Sequence, residues 1–355
     1  MNQHIKHKTL IDEDLRIIAN AEQFYTHYVD TIKELRALPR YMTWKNNYLY
    51  SSADGKTEKS LGVRSSGTTG IYDSFTQTKK SFEERARSMR ERLMSNMRQY
   101  KALRLPQLMT LPGKILREMD ARGLLGTDFI VVGTNAFAAY EIEARERFAH
   151  GLDETEDFDL GWCRGSGISL AQTCERPSGS PLFSVLKAVD STFRMSSSKA
   201  YQAVNKNAYE VELLAAPSVI RTMSPDELFS PYAIHEQEWL LLGRPIRHVV
   251  CDRSGEPVPV VVPDPRWMAL HKMWLSKKPE RRADKKEKDF KQGDLLLDAV
   301  TRKMRDTYPV DVDFVLSLPP ELLPVFNQWA SGHSFIPTDG HHQPEWMYGD
   351  DQPQR

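Results

Sequence analysis

Cysteine is scarce in this sequence, and its spacing indicates no structural role. The three cysteines are Cys163, Cys174 and Cys251, an odd number with no CxxC pair. A disulfide framework needs paired cysteines and a zinc ribbon needs two close pairs, so neither is indicated. We expect three buried or inert thiols.

Long apolar runs are also missing. No stretch approaches the roughly 18 consecutive apolar residues that a membrane span needs. The N-terminal residues, MNQHIKHKTLIDEDLR, lack the apolar core of a signal peptide. We therefore expect no membrane association and a cytoplasmic location.

The sequence also has no net charge, but its basic and acidic residues are unevenly distributed along the chain. Lys plus Arg and Asp plus Glu both total 48, so composition alone gives no attraction to nucleic acid. Nine basic residues nevertheless lie between Lys79 and Arg104, and nine more between Lys272 and Lys291. An acidic stretch, Glu141 to Leu160, separates them. The arrangement suits a site where cations and a polyanion meet, although solvated helix faces explain either basic run equally simply.

The 355 residues are 40% hydrophobic and 27% charged, which is typical of a folded chain of about two domains. Apolar spacing predicts helices in the first hundred residues, alternating strands and helices next, and helices again after Pro263. We predict an α+β fold with a small mixed sheet flanked by helices. The segments expected are a helical N-terminal region (1–106), a sheet-bearing domain (107–262), a C-terminal helical region (263–330) and a mobile tail (331–355).

Acidic residues alternate on two predicted strands. In EDFDLGW, Asp157 and Asp159 share one face, about 7 Å apart along the strand. Two such carboxylates repel unless a cation lies between them, and Mg²⁺ is the expected ion. A solvent-exposed strand end is the alternative. In NAYEVELLAA, Glu210 and Glu212 also share a face. If the two strands are neighbours, Glu212 completes a three-carboxylate cluster, with Glu210 as the competing candidate.

The motifs together resemble the polymerase-β-type nucleotidyltransferases. That superfamily has a glycine turn after a strand, then a DxD strand, then a third acid on a later strand. VVGTNAFAAYE, TEDFDL, YEVELL and VVPDPRWMALHKMWLS are similar to a bacterial family of uncharacterised nucleotidyltransferase-fold proteins. The resemblance covers about residues 100–330. It departs from the superfamily pattern in the long gap before the DxD strand and in having Glu as third acid.

The resemblance implies a set of site residues. Gly133 and Thr134 would shape the triphosphate-binding turn, and Asp157, Asp159 and Glu212 would be catalytic and bind metal. Two Mg²⁺ ions are implied, with Mn²⁺ as the alternative.

Basic residues near this site would hold the triphosphate. Lys272, Ser276 and Lys277 on the helix after Pro265 are the predicted nucleotide contacts, with Arg282 beside them. An exposed amphipathic helix is the alternative for that segment. Arg194, Lys199 and Lys206 also fall at a suitable place in the sequence, but no spacing rule selects among them.

The expected reaction is transfer of a nucleoside monophosphate from a nucleoside triphosphate to an acceptor hydroxyl, with release of pyrophosphate. No motif in the sequence identifies the acceptor, although the basic residues before Arg104 favour a nucleic acid such as tRNA. The alternative function is a nucleotide-binding regulator or scaffold that turns over slowly. Glu212 in place of the usual Asp favours that alternative.

Overall fold

The computed structural model describes residues 8–148, 157–163, 181–220 and 230–339. The chain divides into two compact units. We call them the sheet unit (Met1–Thr9, Glu118–Arg247 and Val260–Arg355) and the helical unit (Leu10–Arg117 and His248–Pro259). The four sequence segments predicted above stay a prediction about domain organisation, and most of the predicted tail, from residue 340 on, lies outside the described residues.

Helices account for most of the regular structure. They are α1 (Asp12–Ala37), α2 (Ser66–Ala102), α3 (Thr110–Ala121), α4 (Phe137–Glu143), α5 (Pro181–Val189), α6 (Pro217–Ile220), α7 (Pro265–Ser276), α8 (Ala283–Lys303), α9 (Val312–Leu316) and α10 (Leu323–His333). Short 3₁₀ turns cover Gly133–Ala136 and His235–Leu241. None of the helices in the described ranges is both long and apolar enough to cross a bilayer.

The strands are short. They are β1 (Lys8–Thr9), β2 (Tyr41–Lys45), β3 (Tyr48–Ser52), β4 (Lys59–Val63), β5 (Gln107–Leu108), β6 (Phe129–Val131), β7 (Glu146–Arg147), β8 (Asp157–Trp162), β9 (Arg194–Met195), β10 (Gln202–Val204), β11 (Glu210–Ala215), β12 (Tyr232–Ala233), β13 (Ile246–Asp252) and β14 (Pro257–Val262). The mixture of helices and small sheets confirms the predicted α+β class.

The helical unit is built on two long amphipathic helices. Apolar positions on α1 and α2 face each other, and the buried Asn96 side chain donates to the Ile17 carbonyl at 2.9 Å. Amphipathic spacing predicts a helix from about Tyr72 to Leu103. Helix α2 begins earlier, at Ser66, because the Ser65 hydroxyl accepts the Thr68 amide and caps the first turn. The stretch GVRSSGTTG, whose Gly, Ser and Thr content predicts a loop, is therefore partly helical.

The sheet unit contains a mixed sheet in the order β6, β8, β11, β10, β9, with β12 also paired to β11. Strand β8 runs antiparallel to β6 and parallel to β11. Side chains on one face of the central strands, including Phe158, Val211 and Leu213, are fully buried. Because successive side chains alternate, the acidic residues between them are directed to the opposite face.

Helices α7 and α8 pack closely in the same unit. A Cβ added at Gly293 on α8 would lie 2.6 Å from Met273 Cγ and 2.9 Å from the Met273 nitrogen on α7. Only glycine allows the two helices to approach this far. The close approach brings Lys272 on α7 against Asp289 on α8.

Candidate functional site

A glycine turn begins the site at the end of β6. The Val132 amide donates to the Asp159 carbonyl at 3.1 Å, which ties the end of β6 to β8. Gly133 follows with φ of +70°, in the left-handed region that favours glycine. A Cβ at this position would lie 3.2 Å from Asp159 Cγ. Glycine therefore lets the turn lie directly against this carboxylate.

Parallel pairing of β8 with β11 places the acidic residues side by side. Asp157 is opposite Glu210, and Asp159 is opposite Glu212. Paired strands lie about 4.8 Å apart, so each pair of carboxylates shares a small region of one sheet face. All four acidic positions are half-buried, whereas the residues between them are buried. The strand neighbourhood on which the predicted cluster depended is thus present.

The two glutamates are held by a buried amide. Gln202 on β10 donates through Nε2 to Glu210 Oε2 at 2.8 Å and to Glu212 Oε1 at 2.9 Å. The Lys199 ammonium lies 3.6 Å from the same Glu212 oxygen. Among the described residues, Glu212 lines the adjacent cleft and Glu210 does not. Glu212 is therefore the glutamate that shares the cleft with the two aspartates.

A cleft of about 240 Å³ opens beside these carboxylates. Gly133, Thr134, Asp157, Asp159 and Glu212 all line it. Its remaining charged lining comes mainly from α7, α8 and the segment between them: Lys272, Arg281, Lys285, Lys288 and Asp289. A carboxylate floor with a basic wall can accommodate cations and an anionic ligand in one place.

Electrostatics in the cleft disfavour the ionised form of Asp159. Burial, then the neighbouring charges of Asp157 and Glu212, raise the pKa of Asp159 from 3.8 to about 7. Lys272 and Lys285 oppose this increase. The Lys285 ammonium lies 3.0 Å from Asp157 Oδ2. The pKa of Asp159 therefore reflects its burial first and then nearby negative charge, which the two lysines only partly offset.

The predicted phosphate contacts on α7 are in different environments. Lys272 lines the cleft, but its ammonium is buried and bonds Asp289 Oδ1 at 2.8 Å. Arg281 also bonds Asp289, with Nε 2.8 Å from Oδ2.

The two remaining predicted contacts make other bonds, and neither is among the described residues that line the cleft. The Ser276 hydroxyl donates to the Met273 carbonyl, and the Lys277 ammonium donates to Gln328 Oε1, both at 2.6 Å. Arg282, the neighbouring candidate, is exposed and bonds Asp284. Roles for these residues in nucleotide binding stay predictions.

Oxygen ligands from carboxylates suit a hard divalent cation. The raised pKa of Asp159 also means that a cation at this position would relieve repulsion. In the side-chain arrangement of the described residues, however, no group of three or more His, Cys, Asp or Glu converges closely enough to hold a metal. Asp157 and Glu212 are instead directed to lysines. The donor chemistry fits a metal, and the side chains would have to rotate to bind it.

Sequence patterns did not identify several residues in the cleft or beside it. Lys285 is one of nine basic residues in its run, and no spacing rule separated it from the others. Gln202 reaches the glutamates only through the pairing of β10 with β11. Gln292, fully buried on α8, donates to the Thr134 hydroxyl at 3.3 Å. Burial and the two aspartates raise the pKa of Tyr209. Each contact depends on tertiary structure rather than on a local motif.

The glycine turn, two aspartates and a glutamate on the neighbouring parallel strand lie together beside a basic helix wall. This arrangement is similar to the pattern expected of a nucleotidyltransferase. Comparison with known families gives the same class: residues 110–312 match the nucleotidyltransferase family. The match covers more than half of the chain, which therefore belongs to this family. No curated protein and no solved structure matches the chain. The family assignment implies a nucleotide substrate and nucleotidyl transfer, a reaction for which nucleotidyltransferases generally use divalent metals.

Proposed function

We propose that the protein transfers a nucleoside monophosphate from a nucleoside triphosphate to an acceptor hydroxyl and releases pyrophosphate. The observation that carries this proposal is the pairing of Asp159 with Glu212 on adjacent parallel strands, directly beside the Gly133 turn. The proposal includes membership of the polymerase-β-type superfamily, in a bacterial branch. It also includes the assignment of Asp157, Asp159 and Glu212 as the catalytic acids.

The reaction would proceed by in-line displacement. The acceptor oxygen forms a bond to the α-phosphorus as the bond to the bridging oxygen breaks, and pyrophosphate leaves with that electron pair. The acceptor proton passes to one of the cleft carboxylates. Mg²⁺ or Mn²⁺, two ions in the proposal, would be held by the three acids and would neutralise phosphate charge.

The chain's own basic residues would hold the leaving group. Lys285 and Lys288 line the cleft on the α8 side. The Lys285 side chain is 41% exposed. Its ammonium can therefore turn from Asp157 toward a phosphate oxygen. Lys272 is fixed by Asp289. We assign Lys272 the role of a static positive charge in the cleft wall and Lys285 the role of a mobile phosphate contact.

The decisive test measures pyrophosphate release with Mg²⁺ and each of the four nucleoside triphosphates, with labelled nucleotide and total RNA as acceptor. We expect Asp157→Ala and Asp159→Ala each to lower release by at least about 100-fold. Asp306→Ala is the matched control, because that side chain is 96% exposed. Release that is equal in the wild type and both cleft variants would contradict the proposal.

The second candidate is a nucleotide-binding regulator or scaffold. The observation in its favour is Glu212, which is longer than the usual Asp and is already bonded by Gln202 and close to Lys199. Tight binding of nucleoside triphosphate without pyrophosphate release would support this candidate. Glu212→Asp separates the two further, because shortening the side chain should increase turnover only if a slow catalytic step limits the protein.

A further inference from the structure

We propose that Tyr201 and Tyr232 form a stacking subsite for the nucleobase of the substrate. This inference rests on the proposed function, because it assigns a second substrate contact within the same cleft. Both rings line the cleft that contains the three acids. The two ring centroids are 4.8 Å apart, with their planes inclined at 40°. Tyr232 is 51% exposed, so one large ring has much of its surface open to a ligand.

The register of the sheet fixes where Tyr232 lies. Strand β12 is parallel to β11, with Tyr232 paired to Leu214. Leu214 follows Glu212 by two residues, so both side chains are on the same face, about 7 Å apart along the strand. Tyr232 therefore lies on the strand next to Leu214, two residues further along the sheet than Glu212.

Tyr201 reaches the same place from the other paired strand. The Leu213 amide donates to the Tyr201 carbonyl at 2.9 Å, directly before Gln202 pairs with Glu212. Strand β8 pairs with β11 over the whole of Glu210–Ala215. A strand has only two edges for pairing, so β10 and β12 share the remaining one. The two tyrosines meet where these strands follow each other along that edge.

Lys199 connects the aromatic pair to the acids. Its ammonium lies 3.6 Å from Glu212 Oε1 and 5.7 Å from the centroid of the Tyr201 ring. A planar group stacked on the tyrosines would thus lie within one side-chain length of the carboxylates. A nucleotide has this two-part chemistry, an aromatic base and a chain of phosphates. Leu214, Ile234 and Leu240 add apolar lining, which suits a base rather than a second anion.

Gln237 is the residue we assign to the base edge. It is 4% exposed, belongs to the 3₁₀ turn His235–Leu241 and lines the same cleft. A glutamine amide offers both a donor and an acceptor, the pair of groups that can distinguish one base from another. Stacking on tyrosine tolerates every base. We therefore assign affinity to the tyrosines and preference among bases to Gln237.

The test compares ligands that all carry a triphosphate but differ in whether they also carry a nucleobase. Dissociation constants are measured with Mg²⁺ for each nucleoside triphosphate and for inorganic tripolyphosphate. We expect Tyr232→Ala to weaken binding of the nucleotides between about fivefold and about 150-fold, with binding of tripolyphosphate unchanged. Tyr232→Phe, which keeps the ring, should retain nucleotide affinity. Tyr48→Ala is the control, since Tyr48 is a similarly exposed tyrosine in the helical unit.

Each result has a separate meaning. Equal nucleotide affinity in the wild type and Tyr232→Ala would overturn the subsite, and so would a parallel loss of tripolyphosphate binding. Neither outcome affects the proposed transfer reaction, provided that pyrophosphate release still depends on Asp157 and Asp159. Gln237→Ala should change the order of affinities among the four nucleotides but leave tripolyphosphate binding intact. An unchanged order would remove Gln237 from the subsite.

Discussion

Replacement of Asp159 by asparagine perturbs the charge of the cleft with almost no change in side-chain shape. The carboxyl has an ordinary pKa of 3.8 and a folded-state pKa of about 7, caused first by burial and then by Asp157 and Glu212. A difference of this size corresponds to about 4 kcal/mol against ionisation in the folded state. The value is an upper bound, because the side chain is half-buried and water in the cleft screens part of the repulsion.

The sign of the pH effect follows from proton linkage. Between about pH 4 and pH 7 the folded protein keeps a proton on Asp159 that the unfolded chain has already released. Stability therefore falls as pH rises through this window, by at most about 1.4 kcal/mol per pH unit. The full penalty applies above pH 7. Asp159→Asn removes the ionisation, so we expect it to match the wild type near pH 4 and to exceed it by up to about 4 kcal/mol at pH 8.

Urea denaturation at pH 4.5, 6 and 8 measures the difference in the free energy of unfolding between the two proteins. Taking the difference cancels the titration of groups that both proteins share. Asp306→Asn provides the control, because it removes a carboxylate that is 96% exposed, and its difference should stay within about 0.5 kcal/mol at every pH. Parallel stability curves for Asp159→Asn and the wild type would refute the electrostatic reasoning.

Two further pairs of substitutions test the geometry of the cleft. Gly133→Ala should cost at least about 1 kcal/mol more stability than Gly123→Ala in thermal unfolding. Both glycines have φ near +70°, but a Cβ at Gly123 has no atom within 4 Å; equal losses would show that backbone strain alone matters. Lys272→Met removes one of the two cations bonded to the buried carboxylate of Asp289, and Arg281 remains as the other. We therefore expect a loss of about 1.5–3 kcal/mol, the range for a hydrogen bond to a charged group. Lys285→Met, at a half-exposed ion pair, should cost less than about 1 kcal/mol, and a reversed order would contradict the burial argument.

Local patterns in the sequence predicted the fold class and the nucleotidyltransferase family, both of which are confirmed. The patterns sufficed because the signals are short in range. Alternation in DFDLGW and EVELLA fixes which side chains share a face, and β8 and β11 bury the residues between the acids as expected. The hairpin signal in HVVCDRSGEPVPVVVP is likewise local, since the Ser254-Gly255 pair between two apolar runs predicts a turn. Gly255 has φ of +96° at the turn between β13 and β14.

Contacts between distant segments could not be predicted in the same way. Asp157 and Lys285 are 128 residues apart in the chain, and Thr134 and Gln292 are 158 apart. No periodicity links such pairs, because their contact depends on how α8 packs within the sheet unit. The predicted contacts Ser276 and Lys277 illustrate the same difficulty. Helical spacing places residues on a common face but does not say which face is directed toward the cleft.

Two kinds of lysine lie in or beside the cleft, and they suggest how the proposed site would bind both cations and phosphates. Lys272 is buried and bonded to Asp289, so it cannot move without separating two buried opposite charges, which is costly. Lys285 and Lys199 are about two-fifths exposed and lie against Asp157 and Glu212, where ion pairs contribute little to stability. Turning these two lysines away from the acids therefore costs little free energy. The carboxylates would then be available to a divalent cation, and the released ammonium groups to the phosphates, with the sheet unchanged.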